Sequence, residues 1–279
     1  MVKKRSYAAY PYFIWSVLFI VIPLFMVLFF SFTKKVNGSF IFSMDNYHKL
    51  ISPIYLKVFW RSIYLALIST ILCLIIGYPA AYFISKINLK RRNLFILLFI
   101  LPMWMNFLLR TYAWMSILGK TGFINTLLIK LGLPSITLLY TDSAVLLGMV
   151  YNFLPYMVLP IYTVIIKIDE SLINAAHDLG ANKAQVFGKV IFPLTLPGVI
   201  SGISMVFMPA VTTFVISRLL GGGQYMLLGN LIEQQFTNIG DWNFGSSISI
   251  FMMLIILLSM AIMTKFDGNE NKEGGGQVW

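Results

Sequence analysis

The sequence predicts an all-α polytopic membrane protein, and three observations carry that prediction. First, 58% of the 279 residues are apolar and only 11% are charged, with a mean hydropathy of +0.82. Soluble domains carry about a quarter charged residues. Second, six apolar stretches reach the roughly 20 residues that a helix needs to cross a bilayer. They fall near 12–32, 58–84, 94–118, 143–166, 191–216 and 246–264. Third, Lys and Arg are shared unevenly among the connecting segments. With the amino terminus inside, segments 1–11, 86–92, 167–189 and 265–279 hold 12 of the 21 basic residues. The longer outer segments 33–57, 119–142 and 217–245 hold 7. That bias follows the positive-inside rule and places both termini in the cytoplasm.

Taken in order, the first span follows Lys3-Lys4-Arg5, which resembles the start of a secretory signal. It is too long for a signal h-region and no small-residue cleavage site follows, so it reads as an uncleaved first span. The second span ends at the densest basic cluster, Lys86, Lys90, Arg91 and Arg92. Beyond the third span, Phe123, Leu127, Leu128 and Leu131 recur at helical spacing, predicting a short interfacial helix over 122–131. The fourth and fifth spans flank the inner loop 167–189. Segment 217–245 carries Gly221-Gly222-Gly223 and then an apolar run, as a re-entrant or capping element would. After the sixth span, the tail 267–279 is polar and Gly-rich, and is expected to be disordered. Prolines 23, 79, 102, 155, 160, 193, 197 and 209 lie in or at the spans, where each removes an amide donor and favours a kink.

The same sequence excludes several chemistries. The net charge of +11 is accounted for by topology and needs no nucleic acid. All ten acids, and both His48 and His177, lie outside the six spans. Proton-coupled carriers place such relays inside the membrane, and intramembrane metalloenzymes need ligands at helical spacing. Cys73 is alone, so there is neither a disulfide framework nor a metal cluster. Gly119-Lys120-Thr121 resembles the end of a phosphate-binding loop, but Trp114 occupies the position of its first glycine. If ATP drives this protein, another chain must bind it.

The inner loop holds the most information. Asp169 or Ser171 is placed to cap a helix through Asn174, Ala175, Ala176 and Leu179, and Gly180 supplies the positive φ that ends it. Asn182 and Gln185 form a capping-box pair for the next helix. The paired alanines would let another backbone approach closely; alternatively, the loop rests on its own bundle. Asn174-Ala175-Ala176, Gly180 and Val190-x-Phe192-Pro193 resemble the "EAA" loop of ABC importer permeases. In that family the loop is a coupling helix that fits a cleft in a cytoplasmic ATPase. Ala175, Ala176, Gly180 and Pro193 match directly, with Asp178 inside the motif, and Val190 and Phe192 replace Ile and Leu. Asn174 departs from the usual Glu, and its amide cannot form the ion pair that a carboxylate would.

Further segments are similar to the permease family of spermidine/putrescine importers: Leu101-Pro102-Met103-Trp104 with Arg110-Thr111-Tyr112-Ala113-Trp114, Gly148-Met149-Val150-Tyr151 with Leu154-Pro155, and Asp241-Trp242 with Phe244-Gly245. So are Gly222-Gly223 with Gly229-Asn230-Leu231-Ile232. The resemblance implies a type I ABC importer permease fold that catalyses nothing itself. It also implies a second homologous permease, two ATP-binding cassette subunits holding ATP and Mg, an extracytoplasmic polyamine-binding protein and a place in the bacterial cytoplasmic membrane. Polyamines are ammonium groups joined by methylenes, and aromatic faces hold such cations at about 0.5–2 kcal/mol per contact. Trp104, Phe107, Tyr112, Trp114, Tyr151 and Tyr156 are the candidate path, with Glu233 and Asp241 as outer acids; each has an ordinary role as interfacial anchor or solvated charge. Arg110 shares a helical face with Phe107 and Trp114. In a cation path it would repel substrate, so it reads as structural or gating, paired with an acid of the companion permease or snorkelling outward. Rival readings are an importer of sulfate, molybdate or ferric iron, and an ion-coupled carrier.

Overall fold

The computed structural model describes residues 10–36, 38–223 and 225–267. The expectations for Lys3-Lys4-Arg5 and for the tail beyond 267 lie outside the described residues. The elements are α1 (Tyr10–Ser31), a hairpin of β1 (Thr33–Val36) and β2 (Ser39–Phe42), α2 (Asp45–Leu50), α3 (Pro53–Lys86) and α4 (Leu89–Trp104). There follow α5 (Phe107–Leu118), α6 (Phe123–Lys130), α7 (Asp142–Ile165), α8 (Glu170–Asp178), α9 (Lys183–Thr212), α10 (Val215–Leu220), α11 (Leu228–Gln234) and α12 (Trp242–Asp267). Five helices are long and apolar enough to cross a membrane: α1, α3, α7, α9 and α12. A sixth span exists only if α4 and the segment Phe107–Lys130 count together, and these are bent by 95°.

That break falls inside the third span expected at 94–118. Pro102 has no amide to donate to the turn before it, so the end of α4 is weakened. Met105 and Asn106 then take extended ψ values of 148° and 125°. The Asn106 side chain accepts from the amides of Leu108 and Leu109 at 2.8 and 3.4 Å, restarting a new helix. The other in-span prolines do not interrupt: α3 runs through Pro79, α7 through Pro155 and Pro160, and α9 through Pro197 and Pro209. Before Pro23 and Pro193 the chain widens into one π-type turn, Val17–Val21 and Phe187–Ile191. The amide of Phe192 reaches back five residues to the Phe187 carbonyl, just ahead of the ring that cannot donate.

The centre is a three-helix core of α3, α7 and α9. Small residues set its spacing, as expected where packing rather than water drives helix association. A Cβ added at Gly198 would lie 2.9 Å from the Pro160 carbonyl oxygen, and one at Gly77 would lie 3.0 Å from Met157 Cγ. Ala66, Cys73, Val145, Met149, Met157 and Val206 fill the contact, each essentially inaccessible. Tyr78 Oη shares a 2.9 Å hydrogen bond with Thr195 Oγ1, tying α3 to α9. Helix α1 packs on α12, and its apolar residues are otherwise exposed, as on a lipid-facing span. Segment 217–245 folds over the bundle through α10 and α11, burying Ile216, Leu220, Leu227 and Leu228.

The packing generates a stability test. Gly198→Val must push a Cβ against a backbone carbonyl, and is expected to cost about 1–3 kcal/mol. Thermal unfolding in detergent should show a lower midpoint for it. Gly188→Ala, where the added atom meets open space, should leave the midpoint unchanged.

Candidate functional site

The inner loop is built from its caps outward. Asp169 Oδ1 accepts from the Ser171 amide at 2.9 Å and starts α8. That backbone hydrogen bond, supported by the Ser171 hydroxyl, holds the Asp169 carboxyl below its ordinary value. At the other end Gly180 has φ +82°. The Ala181 amide donates to Ala176 O at 3.0 Å and the Gly180 amide to His177 O at 2.9 Å, the pairing of a Schellman cap. Two reciprocal bonds of 2.9 Å between Asn182 and Gln185 then start α9.

The loop residues divide into two sets. Asn174, Ala175 and Asp178 are exposed, and Ala176 is half-buried. Leu172, Ala175 and Leu179, at i, i+3 and i+7, line one exposed apolar face, with Leu179 89% exposed. Val190, Phe192 and Pro193 belong instead to the base. There Val186 and Ile191 are buried, and Phe187 sets its ring edge-to-face on Tyr78 and Tyr82 at 5.8 and 5.4 Å. Phe192 packs on Tyr78 at 5.8 Å. A short helix thus projects from the bundle on a base riveted to the end of α3.

The membrane aromatics do not form one cluster. Trp114 and Tyr151 meet edge-to-face at 5.3 Å, and the Arg110 guanidinium lies 6.0 Å from the Tyr151 ring. Phe107 packs against the same core. Trp104 stands on the far side of the Met105-Asn106 break and is 80% exposed. Tyr112 is exposed and lies about 200° round the helix from Arg110. Tyr156 is also partly exposed, five residues further along α7 than Tyr151.

The acids expected on the outer side are already engaged. Glu233 pairs with Arg218 at 2.5 Å, and Asp142 pairs with Arg61 at 2.6 Å. Asp241 caps α12 through the Phe244 amide at 3.0 Å and lies 3.9 Å from Lys49 Nζ. Asp45 pairs with Lys34 at 3.0 Å, and that hydrogen bond holds its carboxyl below the ordinary value. Asp241, Lys49, Asp45, Lys34 and Trp242 share the wall of a cavity of about 550 Å³ beneath the hairpin. Among the described residues, no three His, Cys, Asp or Glu side chains group as metal ligands.

A family model described as binding-protein-dependent transport system inner membrane component matches residues 73–269. The chain belongs to this family of ABC importer permeases. Over 264 residues the permease is 41% identical to the spermidine/putrescine transport system permease protein PotB of Escherichia coli, covering 93% of this chain and 96% of that protein. It is 42% identical to PotB of Haemophilus influenzae over 263 residues, covering 92% and 91%. In solved structures, a chain of a bacterial ABC transporter that imports the polysaccharide alginate has the same fold. There the TM-score is 0.78 at 16% identity, with 94% and 96% of the two chains covered. The permease is accordingly an inner-membrane transport subunit of type I importer fold.

Several features of the permease escape a reading of the sequence. The Arg61–Asp142 pair joins residues 81 apart, and Arg61 also stacks on Tyr225 at 4.2 Å. Asn152 is buried with its Oδ1 unpaired. Gly119 to Gly122 form a tight corner held by Asn125, whose amide donates to Gly119 O at 3.0 Å, rather than a phosphate loop. Only the last had a signal in the sequence, the paired glycines between two helices.

The caps predict a graded response. Asp169→Asn keeps an acceptor and should preserve α8, whereas Asp169→Ala loses the cap and should lower transport several-fold. Because the folded carboxyl titrates below its unfolded value, the cap is complete above the ordinary carboxylate range and is lost as pH falls through the lowered value. Transport measured between pH 6 and 8 should therefore carry no Asp169-dependent step.

Proposed function

We propose that this permease moves spermidine and putrescine into the cytoplasm as one half of the membrane part of an ATP-driven importer. The observation that carries this reading is near full-length likeness to the PotB proteins. The exposed Leu172–Ala175–Leu179 face, next to the Ala175-Ala176 pair, supports it by offering a surface that a soluble subunit could clasp. In this reading both termini are cytoplasmic, and α8 docks on one of two ATP-binding cassette subunits, which hold ATP and Mg and perform hydrolysis. A second, related permease completes the pathway, and an extracytoplasmic polyamine-binding protein delivers the solute. Asn174, Ala175, Ala176 and Asp178 form the docking helix, Gly180 its stop, and Val190, Phe192 and Pro193 its base within α9. Trp114 and Tyr151 are the pathway aromatics best placed to share a cation, with Phe107 beside them.

The mechanism follows from how α8 is mounted. Closure of the ATPases displaces α8, whose cap, turn and base leave it little freedom of its own. The displacement passes through Phe187 and Phe192 to Tyr78 and Tyr82 on α3, and directly along α9. Since α3, α7 and α9 are locked at their glycines, they move as a unit relative to the second permease. A relative movement of two such units exchanges outward for inward access.

Labelled-spermidine uptake in cells with and without the chain tests the substrate class. Loss of uptake on deletion, with competition by putrescine and spermine but not sulfate, is the expected result. Unchanged uptake in cells lacking another polyamine importer would remove the polyamine assignment. Coupling is tested separately: Ala175→Arg or Leu179→Asp should lower uptake by about tenfold or more and weaken co-purification of the ATPase. Wild-type behaviour of both would sink the docking role of α8.

A further inference from the structure

Among the described residues, Arg110 is the only charged side chain that is buried, at 8% exposure. It lies in the first turn of α5, just past the Asn106 cap. Its Nε and Nη1 are enclosed and have no hydrogen-bond partner. A guanidinium cannot escape by losing its proton, so a buried one demands a counter-charge. The Tyr151 ring at 6.0 Å sits at the limit of a cation–π contact and compensates only in part. No acid of this permease's outer segments is free to serve. Asp45, Asp142, Glu233 and Asp241 are each committed to Lys34, Arg61, Arg218 and Lys49. The counter-charge must therefore come from outside the chain, with Nη2 left as the nitrogen an outside acceptor reaches.

We propose that Arg110 pairs with a carboxylate of the second permease subunit, and that this pair bars the outer half of the pathway until a polyamine ammonium takes the carboxylate over. The inference rests on the functional reading above and adds a gate to it. The exchange is balanced in charge: one carboxylate trades a tethered guanidinium for an incoming ammonium, and no proton moves. Arg110 itself stays buried beside Trp114, and the Tyr151 face compensates its charge in part while the carboxylate is occupied. A lone ammonium competes poorly with a tethered cation. A polyamine whose other ammonium groups are already held on aromatic faces competes at a much higher effective concentration. The gate thereby favours long polycations over simple amines.

The test uses the complete importer, with both permeases, ATPases and binding protein, purified and reconstituted in proteoliposomes. Wild-type spermidine uptake decides the functional reading by itself; its absence removes the ammonium half of the gate. The pair is decided by thermal stability of the purified complex, which needs no solute. Arg110→Glu should lower the melting midpoint. Replacing one membrane-embedded Asp or Glu of the second permease by Lys, each taken in turn, should restore it. If none restores it, the pair is refuted. The gate is decided by spermidine binding to the complex without its binding protein. Arg110→Gln should bind about tenfold more tightly than wild type, and Arg110→Lys about as wild type. Equal or weaker binding by Arg110→Gln overturns the gate.

Discussion

Met157 on α7 lies against glycines of two other helices, Gly77 on α3 and Gly202 on α9, while Gly198 of α9 abuts the Pro160 carbonyl of α7. Helices whose axes come this near have no room to slide or roll independently, because interiors packed at this density resist small displacements. Lipid offers no hydrophobic reward for such contact, since acyl chains are as apolar as Leu or Met. The close approach must be favoured by dispersion and by the few polar ties that cross it, such as Tyr78 to Thr195. Every longer-range property of the permease depends on that rigidity. A softer core would absorb a push on the inner loop instead of transmitting it.

The loop 167–189 solves the complementary problem of being exposed without being loose. An isolated nine-residue helix is marginal in water. Here Asp169 and the Gly180 turn satisfy orphan amides and carbonyls at its ends, and the capping box starts the following helix within four residues. The π-type turn at Phe187–Ile191 accommodates Pro193 without breaking continuity into α9. It also lies where Phe187 meets Tyr78 and Tyr82. Rigid caps, a continuous helix and aromatic contacts make one mechanical element from a stretch that would otherwise be a flexible inner loop.

These local devices were legible in the sequence because each is written in residues two to six apart. Gly180, Asn182 and Gln185 announce their roles by chemistry and spacing alone, Asp169 does so alongside Ser171, and five of the six apolar runs expected to span are continuous helices. What was not legible is either non-local or a contest between local signals. The 94–118 stretch is apolar throughout, so hydropathy reads it as one span, while Pro102 and Asn106 together win the contest and turn the chain. The β1–β2 hairpin lies in segment 33–57, expected only as an outer connection, although Asn37-Gly38 flanked by short Thr/Val and Phe/Ile runs is a hairpin signal in the sequence. The ion pairs Arg61–Asp142 and Asp241–Lys49 could not be read at all, because the fold alone brings their halves together.

If the permease carries polyamines as proposed, those pairs set how a cation passes its mouth. Free acids at the outer mouth would form a fixed negative field, attracting polyamines but also holding them. Acids already matched to Lys34, Arg61, Arg218 and Lys49 present little net field, and exposed pairs of this kind are worth only about 0–1 kcal/mol each. An incoming ammonium can replace either partner at small cost and leave as readily. Aromatic faces such as Trp114 and Tyr151 have the same quality, binding cations by a weak quadrupole rather than by full charge. A pathway of weak, exchangeable contacts suits a transporter whose direction is set by ATP, since tight sites would slow release without adding to the gradient achieved. In the proposed reading, affinity then belongs to the protein that captures the solute, and the permease supplies passage.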